Sequence, residues 1–238
     1  MNRLLAATAA LALSYTAIAA PAMAQTRPVV VELFTSQGCS SCPPADAVLA
    51  ELADRKDVLA LGFHVDYWDG LGWKDPLSAR GSTARQHDYA TQFHKKEVYT
   101  PQIVVDGQRQ IVGSDRDAVL DAIAKSQPQP GAQAQPSAQV TFAADGHSVS
   151  IGAGTGQGKI ILVRFVRHRT DAVHGGENSG RMAHDSNGVE AFKTVAEWTG
   201  QAVDLPVDPV DSNHGLAVLV QADDGHILGA AALSAVQS

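Results

Sequence analysis

Val29-Val30-Val31-Glu32-Leu33-Phe34, then Thr35-Ser36-Gln37-Gly38, then Cys39-Ser40-Ser41-Cys42-Pro43-Pro44: this stretch decides how the rest of the chain is read. Its first six residues are apolar except Glu32 and half of them are β-branched, a composition suited to a strand buried on both faces. Beyond it, residues 46–55 carry Val48, Leu49 and Leu52 at helical spacing, so the cysteines fall where a strand hands over to a helix. Cys39 and Cys42 are the only two cysteines of the chain. A Cys-x-x-Cys at such a junction is the layout of a thiol-disulfide site.

The attacking species in thiol-disulfide exchange is a thiolate, and a free cysteine with pKa about 8.5 is mostly protonated at neutral pH. At the start of a helix the unpaired N–H groups and the dipole favour negative charge, which makes Cys39 the expected nucleophile and Cys42 the resolving thiol. If Ser41 caps the helix, Pro43 and Pro44 take positions where a missing N–H costs nothing, and Cys39 is the more exposed sulfur. Two other readings use the same cysteines. No four-ligand zinc pattern exists, but soft thiolates also select Cu(I), with His64, His87 or His94 to complete a site. A purely structural disulfide is the third, although so short a loop restricts the unfolded chain little.

Outward from this motif, Met1-Asn2-Arg3, an apolar run and Ala22-Met23-Ala24 give residues 1–24 the form of a signal peptide, which implies a periplasmic or secreted protein where disulfides persist. No later stretch is apolar and long enough to span a bilayer. A net charge of -7 without a basic cluster excludes a nucleic-acid partner. Pro, Gln, Ala and Gly dominate 127–137, which reads as a linker between a first domain at 25–126 and a second at 138–238.

Within the first domain, strands are expected at 29–34 and 58–65, with the helix between them completing a right-handed βαβ unit. A helix at 82–95 follows, then strands at 102–105 and 110–112 around the Asp106-Gly107 turn. Ser114, with Asp117 three residues on, should cap a last helix. The second domain offers short strands at 139–142, 148–151, 159–167, 202–207, 215–221 and 226–233, separated by turn residues, which suggests an antiparallel β-sandwich. The loop His174-Gly175-Gly176-Glu177-Asn178-Ser179-Gly180-Arg181 has no helix after it to make a phosphate cradle, and reads as a structural or docking surface.

The order βαβ-α-ββα resembles the thioredoxin fold, and residues 28–125 match it at the Cys-x-x-Cys, at Tyr99-Thr100-Pro101-Gln102, at Asp106-Gly107 and at Gly113. The fuller text, with Pro43-Pro44-Ala45-Asp46, His64-Val65-Asp66-Tyr67-Trp68-Asp69, Gly72-Trp73, Asp75-Pro76 and Gly176-Glu177-Asn178-Ser179-Gly180, resembles a family of exported bacterial proteins catalogued as domain-of-unknown-function family 1223. The thioredoxin resemblance implies that Pro101 is cis and faces the dithiol, and that Glu32 is a buried acid moving the proton of the second cysteine. A cis Pro101 would bring the Thr100 backbone, next to Tyr99, to a client strand. Asp66, Trp68 and Trp73 leave the second strand at the same end as the dithiol, where ligands of α/β sheets sit, and so line a substrate groove or order the long connection above the site. The expectation is therefore an α/β protein, a thioredoxin-like domain followed by a β-sandwich-like domain, acting as an exported thiol-disulfide oxidoreductase. It needs no cofactor, takes protein thiols or disulfides as clients, and exchanges electrons with a separate redox partner. A Cu(I) metallochaperone using Cys39, Cys42 and His64, or a non-catalytic binding module, are the alternatives.

Overall fold

The computed structural model describes residues 27–127 and 137–233. The expected signal peptide at 1–24, and most of the expected linker, lie outside the described residues. Strand β1 (Val29–Thr35) and strand β2 (Val58–His64) are buried along their whole length and pair in parallel. Helix α1 (Pro43–Ala53) joins them. Its N-cap is Cys42 and not Ser41, so Pro43 and Pro44 occupy the first two helical positions, where no N–H is missed. A 3-10 turn (Asp69–Leu71) and α2 (Arg80–Gln92) follow, then β3 (Gln102–Val105), β4 (Arg109–Val112) and α3 (Arg116–Ser126). β3 runs antiparallel to β1, and β4 to β3.

Asp106 and Gly107 turn the β3–β4 hairpin with φ of 50° and 69°, both left-handed, in a loop of three residues between the paired Val105 and Arg109. A Cβ at Gly107 would also lie 1.8 Å from the carbonyl oxygen of Gly225, so this corner is packed against the far end of the chain. The cap of α3 is Asp115, one residue past the expected Ser114, and its carboxylate accepts from the Ala118 N–H at 3.1 Å. Alternation along β1 sends Val29, Val31 and Leu33 toward α1 and α3, and Val30 and Phe34 toward Tyr89 of α2.

Beyond residue 137 come β5 (Val140–Phe142), β6 (Ser148–Ile151), β7 (Gly158–Ala172), β8 (Met182–Trp198), β9 (Val203–Pro206), β10 (His214–Gln221) and β11 (Ile227–Leu233). This half is two-layered, as its strand spacing suggests, but one layer continues the N-terminal sheet. The larger sheet has the order β11-β10-β7-β8-β2-β1-β3-β4, and β5-β6-β9 form the smaller one. Around Trp198, Val149, Ile151 and Val218 the small sheet covers one face of the large one. β8 meets β2 through a single bridge, Gly62 with Gly188. Ile161, Val163, Phe165, Val189 and Leu219 share one core with Phe34, Leu61, Phe63 and Tyr89, so both halves contribute to the packing beneath β1 and β2.

Candidate active site

Cys39 and Cys42 form a disulfide with a Cα–Cα distance of 5.4 Å. Both are 0% exposed, so the expectation that Cys39 would be the open sulfur is corrected. The cover comes from the far half of the chain. The β7–β8 hairpin brings the loop at 174–181 onto the cysteine turn, where buried Asn178 donates from Nδ2 to the carbonyls of Gln37 (3.0 Å) and Cys39 (2.8 Å). The Glu177 carboxylate accepts from the Ser40 N–H at 3.1 Å. Close approach makes this possible: a Cβ at Gly175 would sit 2.0 Å from the Gly72 carbonyl oxygen. Ser40 and Ser41 stay exposed.

The expected groove residues surround this turn in structural roles. Trp68 donates from Nε1 to Thr100 Oγ1 at 2.9 Å, and Trp73 from Nε1 to Gln37 Oε1 at 3.1 Å while its ring lies edge-on to His174. The Thr100–Pro101 bond is cis, and the carbonyl of Thr100 lies 3.5 Å from the Ser41 hydroxyl. Tyr99 is exposed, with its carbonyl held by Gln86 at 2.8 Å. Asp66, in the connection just after β2, accepts through Oδ1 from the hydroxyl of Thr83 in the first turn of α2.

Glu32 is placed differently from its expected part. Alternation turns it to the α2 face of the sheet, where Arg85 donates to both its oxygens at 2.7 Å and Tyr89 adds a third bond at 3.1 Å. These bonds commit both carboxylate oxygens to α2, on the face of the sheet opposite to the helix that follows the cysteines. The α1 face carries another acid that the sequence reading passed over. Asp46 lies four residues after Cys42 on α1, one turn along the same helix face. Thr35 Oγ1 donates to it at 2.7 Å, and burial, only partly offset by that bond, pushes its carboxyl up to about 7.

Beside it lies a buried polar cluster at the C-terminal end of β2. His64 Nδ1 is 2.7 Å from Asp75 Oδ2, and its Nε2 is 3.7 Å from Asp185 Oδ1. Gln37 ties the cluster to the cysteine turn, donating from Nε2 to Asp185 at 2.7 Å and Asp171 at 2.9 Å, while its backbone N–H goes to Asp75 at 2.8 Å. Burial opposes the charge on His64, but Asp75 first, then Asp185 and Asp46, outweigh it and raise the ring to about 9. Asp75 is held low against its own burial by His64, whereas burial raises Asp185. Both ring nitrogens of His64 are turned to carboxylates, and His87 and His94 are exposed on and after α2, on the opposite face of the sheet from α1. None of the three histidines that the copper reading invokes is thus turned to the sulfurs. Among the described residues, no group of three or more His, Cys, Asp or Glu is arranged to hold a metal ion.

His64 binds a proton more firmly in the folded chain, so its stabilising contribution is complete below pH 6.5 and disappears as the pH climbs through about 9. Asp46 acts likewise in a lower window, from pH 3.8 to about 7. The wild-type melting temperature is accordingly expected to fall more steeply from pH 6.5 to 9 than that of His64→Asn, with the two curves parallel below that interval. Parallel slopes throughout would show that His64 carries no such proton.

Comparison with known proteins places this geometry. A crystal structure of a protein from Agrobacterium tumefaciens is 33% identical, with a TM-score of 0.73 over 88% of this chain and 95% of that one. HBP35 of Porphyromonas gingivalis, 12% identical with a TM-score of 0.54 over 90% of this chain and 76% of that one, shares the fold alone. No curated protein sequence matches the chain. A family model described as protein of unknown function (DUF1223) matches residues 30–221, and the chain belongs to that family.

Proposed function

We propose that the chain is an exported thiol-disulfide oxidoreductase whose residues 27–127 work as a thioredoxin-like unit around Cys39 and Cys42. One observation carries the reading: a Cys39–Cys42 disulfide at a strand-to-helix junction has, one helical turn beyond Cys42, a carboxyl raised to about 7. A group of that pKa both accepts and returns a proton near neutral pH. In the reduced protein the Cys39 thiolate attacks one sulfur of a client disulfide, and the other client sulfur leaves as a thiolate. Cys42 then gives its proton to Asp46 and attacks the Cys39 sulfur. This reforms the Cys39–Cys42 bond and expels the second client sulfur, which takes up a proton. The reverse sequence oxidises a client dithiol.

Both sulfurs being covered, a client must displace part of the cover, and the exposed Ser40 and Ser41 beside the Thr100 carbonyl are where it would enter. Export rests on the composition of residues 1–24. No helix among the described residues is long and apolar enough to cross a membrane, in keeping with a redox partner on a separate protein.

The test is reduction of a disulfide-bonded client, such as insulin, together with thiol alkylation. Cys39→Ser is expected to abolish turnover, and Asp46→Asn to slow it about tenfold or more near pH 7. Cys39 unreactive in the reduced protein, or full activity in Cys39→Ser, would sink the proposal.

A further inference from the structure

The direction in which this dithiol passes electrons depends on how well the mouth of α1 stabilises a thiolate. A helix N-terminus ordinarily offers free N–H groups to a cysteine sulfur. Here the first two helical positions are Pro43 and Pro44, which have none. The N–H groups of Ala45 and Asp46 both go to the Cys42 carbonyl, at 2.8 and 3.1 Å. Cys42 donates to the Cys39 carbonyl at 3.2 Å, and Cys39 to the Ser36 carbonyl at 3.1 Å. The Ser40 N–H is taken by Glu177 at 3.1 Å. What remains for the Cys39 sulfur is Ser41, whose N–H has no partner among the described residues and whose hydroxyl oxygen is 3.3 Å from the sulfur and shared with the Thr100 carbonyl.

We infer that Glu177 sets the redox poise of the dithiol: by occupying the Ser40 N–H and putting a carboxylate at the mouth of α1, it disfavours the Cys39 thiolate and makes the protein a reductant of client disulfides. This rests on the oxidoreductase reading. Dithiol oxidants are strong because their reduced, thiolate form is stabilised; a site that withholds donors and adds negative charge is biased toward its own disulfide. The protein then loses two electrons in forming the Cys39–Cys42 bond, the client disulfide gains them as two thiols, and a partner protein dithiol of lower potential restores the reduced form.

Of the other cations near this end of the sheet, two are already held by carboxylates and one by an amide. His64 is neutralised by Asp75 and faces Asp185, with Asp46 nearby. Arg169 is paired with Asp171. Arg181, on the covering loop, is turned to Asn178 Oδ1 at 3.3 Å, and Tyr67 and Tyr99 are phenols raised chiefly by burial.

The measurements are the pH dependence of Cys39 alkylation in the fully reduced protein and the dithiol-disulfide equilibrium against glutathione. Glu177→Gln is expected to raise the Cys39 thiolate fraction at neutral pH by about three- to tenfold and to move the equilibrium toward the dithiol by a similar factor. Glu177→Asp should stay near wild type, and the difference should shrink in about 1 M salt, because this carboxylate is exposed. A change below about twofold in Glu177→Gln, or a wild-type Cys39 already ionised well below neutral pH, overturns the inference. Should the shift appear while neither form exchanges with clients, the poise stands and the oxidoreductase reading falls.

Discussion

Replacing Arg85 by methionine is expected to destabilise the protein by about 3–5 kcal/mol, because it strands the Glu32 carboxylate in the core without its cation. Arg85 is buried, donates through Nε and Nη2 to both oxygens of Glu32 at 2.7 Å, and reaches Gln221 Oε1 at 3.0 Å. Its guanidinium also lies 5.5 Å from the centre of the Phe63 ring and 5.1 Å from that of Tyr89. These contacts join β1, α2 and β10. The pair as a whole contributes less than the loss of one member suggests, since desolvating both ions offsets most of their attraction. The double variant Glu32→Gln/Arg85→Met should therefore recover a large part of the loss, as read from urea unfolding midpoints. Glu32→Gln alone should keep client reduction at neutral pH. Loss of reduction in a well-folded Glu32→Gln protein would return the proton-transfer role to that residue.

Alanine at Gly175 is expected to act on the dithiol from outside the cysteine turn. Its Cβ would have to fit 2.0 Å from the Gly72 carbonyl oxygen, a backbone atom with no side-chain freedom to yield. Overpacking of this kind costs about 1–3 kcal/mol. The loop can relieve it only by rising, which pulls Asn178 from the carbonyls of Gln37 and Cys39. Mass spectrometry after brief reduction and alkylation should find Cys39 labelled about tenfold faster than in wild type, alongside a lower melting temperature. A destabilised protein with unchanged labelling would show that the loop does not control access to the sulfurs.

The N-terminal elements were legible because local rules and tertiary packing agree there. The β-branched run at 29–31, the apolar spacing of α1 and the Asp106-Gly107 turn each admit one structure, and each forms it. β8 was not legible. Its register slips where Glu190 and Val195 have no partner on β7, which breaks the alternation a strand is recognised by, and Asn187 adds a φ of 48°. That one element also joins the halves, so the continuous sheet was hidden with it. At the site, the cysteines and the resemblance around Pro101 were visible, but the partners of Glu32 and His64 were not. Arg85 lies 53 residues from Glu32, and Asp185 far beyond His64, distances over which sequence carries no periodic signal. Asp46 did carry one: an acid one turn after Cys42 in a helix whose other inward residues are apolar. The Gly176-Glu177-Asn178 run stood out in the text, yet nothing local says that it reaches residue 39.

The cover contributed by residue 178 also puts the site on a clock. A chain is synthesised from its N-terminus, so the two thiols emerge more than a hundred residues before the asparagine that encloses them and the strand that carries it. Enclosure of Cys39 and Cys42 therefore waits on the β7–β8 hairpin, the element that carries residue 178 to them.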